Sequence, residues 1–333
     1  MKTLVIAEAG VNHNGDMDLA RRLVNAAADA GADMVKFQTF SADRLASASA
    51  KKAEYQSRTT GEQESQRDML RRLELSEPQH HALQEQCLTR GIGFLSTGFD
   101  IQSVDLLVGI GLRLFKIPSG EITNLPYLRH IGGLGGDVLL STGMANLGDV
   151  EAALTVLLQA GTPRDRITVL HCTTEYPAPM DGVNLRAMVS MGQAFGVRCG
   201  YSDHTEGIEV AVAAVAMGAC VIEKHITLDR NLPGPDHQSS LEPGAFRAMV
   251  SAIRNIEQAL GDGIKQCTPA ERANMAVARK SLVAACAIAQ GERFHPGNVA
   301  CMRPGTGLSP MLWDKVMGRT AVRGFHPGEL IDL

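Results

Sequence analysis

Two hydrophobic patterns alternate along this 333-residue chain. Short apolar runs such as TLVIAEAG (3–10) and CVIEKHI (220–226) alternate with longer segments whose apolar positions recur every three or four residues. The first kind reads as strands and the second as amphipathic helices. Their alternation predicts a parallel sheet with helical crossovers. Further strands are expected over 33–40, 93–99, 113–120, 137–144, 168–176 and 197–203. Helices are expected over 17–30, 77–90, 101–110, 124–132, 147–160, 184–195, 207–217 and 244–260. Ser76 before Glu77-Pro78 is a helix N-cap, and Gly31, Gly91, Gly161 and Gly196 stand where helices stop. Eight strand–helix units over roughly 250 residues predict an α/β fold of the (β/α)8 TIM-barrel type. A doubly wound open sheet is the alternative, but no GxGxxG opens a helix after a strand. The polar stretch 41–66 is expected to be a long βα loop, the kind that serves as a lid or binding loop.

The pattern changes after Leu260. Residues 1–262 are assigned to the barrel, 263–280 to a polar linker with a short helix, and 281–333 to a small β-rich domain. Within that domain AIAQGERFHPGNV (287–299) and AVRGFHPGELI (321–331) resemble each other, which suggests two related hairpin-like units. A module this small needs another surface to pack on.

Composition narrows the function classes. A formal charge of −4 argues against nucleic acid or an anionic membrane as the main partner. The longest apolar run, AVAAVAMGACVI (211–222), is too short to span a bilayer, and LVIA before Glu8 is no signal-peptide core. Seven cysteines without a CxxC pair read as reduced thiols, so a cytoplasmic protein is expected.

The chemistry is concentrated at the C-terminal ends of the expected strands, the face on which barrel enzymes place their sites. Glu8, Lys36 with Gln38, Ser96-Thr97, Lys116 with Ser119, Ser141-Thr142, His171 with Thr173 to Tyr176, Ser202 with His204, and Lys224 with His225 all fall there. A barrel without a ligand has no reason to bear that desolvation cost repeatedly. Lys36 and Lys116, with hydroxyls of Thr97, Ser119, Ser141 and Ser202, suit a phosphate or carboxylate. The alternative is that the lysines snorkel out of the barrel. His204 and His225 end neighbouring strands, and two neutral imidazoles with open positions suit a divalent cation. A zinc site asks for a third ligand, for which Glu8 or Asp203 is near enough, although Asp203 equally suits a turn. His80-His81 reads as solvated surface, and His13 as either a pocket or a turn residue. Asp236 reads as either a hydroxyl acceptor or a turn cap, and no cysteine has a catalytic neighbourhood.

AEAGVNHNG, VKFQTF, FLSTGFD, FKIPSGE, LLSTGM, HCTTEYPAP, GYSDHTEG, EKHITLD and PGPDHQSSLEP follow one another as in the bacterial sialic acid synthase family, which this chain resembles over almost its whole length. RPGTGLSP resembles the family's antifreeze-like (SAF) domain, and HCTTEYPAP with PGPDHQSSLEP is most similar to the branch making N,N′-diacetyllegionaminic acid. The resemblance implies condensation of phosphoenolpyruvate with 2,4-diacetamido-2,4,6-trideoxy-mannose, releasing phosphate. It implies His204 and His225 as ligands of Mn²⁺, with Mg²⁺ or Co²⁺ as substitutes. Lys36, Thr97, Lys116, Ser119, Ser141, Thr174 and Ser202 are implied around phosphoenolpyruvate. Gln38, Glu121, Tyr176 and Asp236 are implied around the sugar, and Glu8 beside the reacting centre. Thr174 departs from the asparagine of the neuraminate branch. A domain-exchanged homodimer is also implied, with Arg303 reaching the partner's site. N-acetylmannosamine or a pseudaminic acid precursor is the alternative sugar. A non-catalytic sugar-acid binder is the alternative of a different class.

Overall fold

The computed structural model describes residues 2–47, 49–52, 57 and 65–333. The chain divides into two compact units, Met1–Gly261 and Asp262–Leu333. The first contains eight strands: β1 (Leu4–Gly10), β2 (Met34–Thr39), β3 (Gly93–Gly98), β4 (Leu114–Ile117), β5 (Asp137–Ser141), β6 (Ile167–Cys172), β7 (Arg198–Asp203) and β8 (Val221–His225). All pairings among them are parallel, in the order β3-β2-β1-β8-β7-β6-β5-β4. Because β3 and β4 also lie side by side, the sheet curls into the expected barrel.

The alternation of side chains along each strand sorts the residues into an inner and an outer set. Ile6, Leu95, Leu139, Leu170 and Val221 form an apolar floor. Their outward neighbours, among them Val5, Val35, Tyr201 and Ile222, pack against Leu23 and Val24 of helix Met17–Asp29 and Phe246 and Met249 of helix Pro243–Leu260. Burying each such large aliphatic side chain contributes about 1.5–3 kcal/mol, so the floor is a packed layer rather than a pore. The expected helix signals operate: Ser76 and Gln79 form a reciprocal capping box, and Gly91 and Gly196 close their helices at φ +64° and +60°.

Three strands, β4, β5 and β6, end earlier than the sequence pattern suggests, β5 at Ser141. Pro118 has no N–H to continue β4, and the chain turns into a 3-10 segment at Ser119–Glu121. Strand β6 stops at Cys172, leaving Thr173 to Tyr176 in the following loop. Residues that the apolar pattern extends into strand thereby become loop residues over the barrel mouth. Of the loop expected over 41–66, the described parts include helix Ala42–Leu45, and helix Gln66–Arg71 follows. The rest of that expectation, at 48, 53–56 and 58–64, lies outside the described residues. Val11, Phe40, Met69 and Leu73 join with Leu45, Leu70 and Phe99 in a small apolar cluster.

The second unit pairs β9 (Ser281–Ala284) antiparallel with β10 (Val299–Met302). The two FHPG phrases adopt matching turns: His295 N–H donates to Asn298 Oδ1 and His326 N–H to Glu329 Oε2, both at 2.8 Å. Phe294 and Phe325, which begin the two phrases, meet at 5.8 Å between ring centroids. The segment expected as a linker carries helix Pro269–Ala278. Its Ala276 carbonyl accepts from Gly305 N–H at 2.8 Å, which ties this helix to the small unit. Arg303, also in this unit, donates from Nε to the Ala278 carbonyl at 3.1 Å. Among the described residues no helix is long and apolar enough to cross a membrane.

Candidate active site

A cavity of about 350 Å³ opens at the C-terminal ends of the strands. Every barrel residue that the family resemblance implies for the site lines it, from Glu8 on β1 to Asp236 beyond β8. Arg303 belongs to the second unit and is exposed.

Beneath the cavity lies a buried row of charges that the sequence only half revealed. Lys36 Nζ lies 2.8 Å from Glu8 Oε2 and 3.7 Å from Glu223 Oε2, and it donates to Thr97 Oγ1 at 2.9 Å. Lys116 Nζ donates to Glu223 Oε1 at 2.8 Å, and the Ser202 hydroxyl donates to the same oxygen at 3.1 Å. Both lysines are buried inside the barrel, which excludes snorkelling. Glu223, which joins them, was not among the expected site residues. Its signal was its place two residues before His225, on the inner face of the same strand. Burial pushes the Glu223 carboxyl up, but the Lys116 and Lys36 ammoniums outweigh it and hold it down at about 2. Burial also opposes the charge on Lys36, yet Glu223 and Glu8 keep it above its ordinary value. Glu8 goes the other way: burial and repulsion from Glu223 exceed the pull of Lys36 and raise it.

Strand register explains how these groups meet. Glu8 pairs across the sheet with Lys36 on one side and His225 on the other. The β1–β2 register slips between Glu8 and Gly10, a bulge of the sort common beside active sites. Gly10 then adopts φ +52°, and Gln38 Nε2 donates to Glu8 Oε1 at 3.1 Å.

The side of the cavity formed by Ser119, Ser141 and Thr174 is built on close approach. A Cβ on Gly143 would stand 2.0 Å from Thr174 Oγ1 and 2.8 Å from Ser119 Oγ, so only glycine leaves these hydroxyls in place. Gly143 N–H donates to Ser119 Oγ at 2.9 Å. The buried Ser141 hydroxyl has no partner within the protein, as befits a group waiting for a ligand.

His204 and His225 converge with ring centroids 5.5 Å apart. Tyr176 stacks on His204 at 4.1 Å and meets His225 edge-on at 5.7 Å. His204 Nδ1 lies 2.7 Å from the Thr173 carbonyl, which assigns the proton to Nδ1 and leaves Nε2 as the bare ligand nitrogen. His225 Nδ1 is buried without a partner. Burial, with the Lys36 and Lys116 ammoniums adding to it, keeps His225 neutral, well below its ordinary value. Among the described residues no group of three or more His, Cys, Asp and Glu is arranged to hold a metal ion. The convergence of the two imidazoles fits a cation whose remaining positions are left to water and substrate oxygens.

Several expectations need correction, and the alternatives left open for Asp203 and His13 resolve to the turn. Asp203 is not a third ligand: it accepts from Thr205 N–H and pairs with Lys224 at 2.7 Å. Lys224, counted with the converging strand ends, therefore points away from the cavity. His171 does too, its Nε2 lying 2.7 Å from the Val183 carbonyl. His80 is not surface: it is fully buried, with Nε2 2.6 Å from Thr39 Oγ1. His13 is a turn residue, its Nδ1 accepting from Gly15 N–H. One cysteine does have a site neighbourhood: Cys172 lines the cavity with Sγ 3.7 Å from His204 Nδ1. Its ordinary position after an apolar strand gave no hint of this.

Comparison with known proteins agrees with this geometry. Residues 23–265 match the NeuB family and residues 279–333 the SAF domain. The chain belongs to the NeuB family. This NeuB-family chain is 54% identical over 330 residues to an N,N′-diacetyllegionaminic acid synthase from Campylobacter jejuni, spanning 99% of each chain. It is 45% identical to a protein of the same name from Legionella pneumophila, over 96% of this chain and 90% of the other. A solved N-acetylneuraminic acid synthetase from Leptospira borgpetersenii superposes with a TM-score of 0.72 at 32% identity, covering 83% of this chain and 90% of that one. Synthases of the NeuB family generally depend on a divalent metal ion.

Proposed function

We propose that this protein is a transferase condensing phosphoenolpyruvate with 2,4-diacetamido-2,4,6-trideoxy-mannose to give N,N′-diacetyllegionaminic acid and phosphate. The 54% identity to the Campylobacter synthase over nearly the full length carries this reading. The residues of the cavity support it through their chemistry.

In this reading Lys36, Lys116, Ser119, Ser141 and Thr174 receive the carboxylate and phosphate of phosphoenolpyruvate. Two buried ammoniums and hydroxyls already in place stabilise that charge without reorganising during the reaction. Thr97 and Ser202 hold the charged row in position. His204 and His225 would hold the divalent cation, which we assign as Mn²⁺ and which would supply Lewis-acid polarisation of the open-chain sugar's aldehyde. C3 of phosphoenolpyruvate bonds to the aldehyde carbon, whose oxygen takes a proton. Water adds its oxygen to C2, losing one proton in balance with the one gained by the aldehyde oxygen. The C2–O bond to phosphate breaks as C2 becomes the ketone, and the second proton of the water leaves with the phosphate. Glu8, raised by burial, takes the first proton of that water. Gln38, Glu121, Tyr176 and Asp236 meet the sugar.

Phosphoenolpyruvate as substrate supports a cytoplasmic enzyme. We further take the chain as a domain-exchanged homodimer in which Arg303 of the partner subunit completes the sugar site. A phosphate-release assay with phosphoenolpyruvate and Mn²⁺ on three sugars tests the reading. Turnover best with the diacetamido sugar supports it, and preference for N-acetylmannosamine or the pseudaminic precursor reassigns the sugar. Release with none would leave a sugar-acid binder.

A further inference from the structure

One wall of the cavity carries none of the polar chemistry described so far. Leu45, Met69, Leu70 and Leu73, from the described chain between β2 and β3, meet Val11 and Phe99 there. Gln66 is the polar side chain that this stretch adds to the cavity lining. Leu45, Leu70 and Phe99 are only partly buried, so the wall presents carbon to whatever fills the cavity. The charged and hydroxyl groups, by contrast, come from the strand ends and the turns directly after them.

We infer that this wall receives the C6 end of the sugar and selects a methyl group there over a hydroxymethyl. The inference rests on the synthase reading and names the residues that recognise the 6-deoxy end of its sugar. The acetamido groups each carry an N–H and a carbonyl that need partners, and burying them on carbon would leave both unpaired. A C6 methyl has no such need and gains from burial. A C6 hydroxyl on this wall would lose its hydration with Gln66 as the polar side chain to replace it. Apolar sites reject an added hydroxyl only moderately, by about a hundredfold. The wall therefore sets a preference of that order and not an absolute exclusion.

N-acetylmannosamine and its 6-deoxy analogue differ by this one oxygen, so they isolate the wall from any contact to C4. The experiment measures kcat/KM for both by phosphate release with saturating phosphoenolpyruvate and Mn²⁺. The unmodified enzyme should prefer the 6-deoxy sugar by tens of times to about a hundredfold. Leu70→Gln and Leu45→Gln, at partly buried positions that tolerate a polar group, should each cut the ratio roughly tenfold, since one lost apolar contact is worth that order. The ratio should fall mainly through the 6-deoxy sugar. A ratio near one in the unmodified enzyme, or a ratio unmoved in both variants, overturns the inference. Failure of the unmodified enzyme to release phosphate with any of the three sugars overturns the synthase reading itself, which is a separate result.

Discussion

Glu223 Oε1 accepts from Lys116 Nζ at 2.8 Å in the interior of the barrel, with both side chains almost wholly removed from water. The same carboxylate faces Lys36, so one acid compensates two ammoniums beneath the cavity. Removing one partner of a buried ion pair costs about 3–5 kcal/mol because the other charge is left uncompensated. Glu223→Gln should therefore lower the Tm and abolish most phosphate release. Added inorganic phosphate should restabilise the variant more than the unmodified protein, since an anion replaces the missing charge. The sign with pH follows from its folded value of about 2 against an ordinary 4.5. Its stabilisation is complete above pH 4.5 and fades as pH falls toward 2. The variant should lose Tm less steeply than the unmodified protein over that window.

Asp236 has the opposite sign. Burial, reinforced by Glu8, raises it from 3.8 to about 7, so its stabilising contribution is greatest below 3.8 and is lost as pH rises toward 7. Asp236→Asn in metal-free protein should match the unmodified Tm near pH 4 and exceed it by several degrees at pH 8. Equal Tm values at both pH values would contradict this. The same variant should raise KM for the sugar more than KM for phosphoenolpyruvate.

Gly143 is required for space rather than for backbone freedom. An added methyl would collide with Thr174 Oγ1 and Ser119 Oγ. Gly143→Ala should leave a folded protein with a near-normal circular dichroism spectrum and at least tenfold weaker use of phosphoenolpyruvate, since small displacements at a reacting centre cost that much or more. Steady-state kinetics with the sugar saturating would show it as a raised KM for phosphoenolpyruvate.

Lys224 should behave differently from its neighbour Glu223. Its Nζ pairs with Asp203 at 2.7 Å and donates to the Thr205 carbonyl at 2.6 Å, away from the cavity. Lys224→Met strands a buried carboxylate, so stability should drop by about 3–5 kcal/mol. Below the lowered Tm, kcat/KM should stay within a few-fold of the unmodified enzyme. Denaturant unfolding and kinetics on the same preparation separate the two effects.

The barrel was legible because each strand and helix announces itself locally, by its period and by residues such as Ser76 and Gly91. Lys36, Lys116, His204 and His225 were legible because buried polar groups at matching strand ends demand an explanation. What escaped depends on which way a side chain points within a run that is apolar on both sides. Glu223 and Lys224 are adjacent, equally charged in magnitude and equally buried, yet only one faces the cavity. His80 looked solvated because its helix is polar, whereas Thr39 on β2 and the Ser76 carbonyl supply its partners. Cys172 acquires its neighbourhood from residues distant in sequence, among them Lys116, Ser119 and His204 just beyond β7.

That adjacency on β8 also bears on folding. The apolar residues of the strand, Val221 and Ile222, sit on both faces and discriminate poorly between one alignment and the next. A slip by one residue would turn Lys224 inward beside Lys36 and Lys116, and turn Glu223 outward toward Asp203. Three cations would then crowd the interior while two anions met outside it. The alternation of acid and base thus makes the observed alignment of the strand the one in which every buried charge meets its opposite.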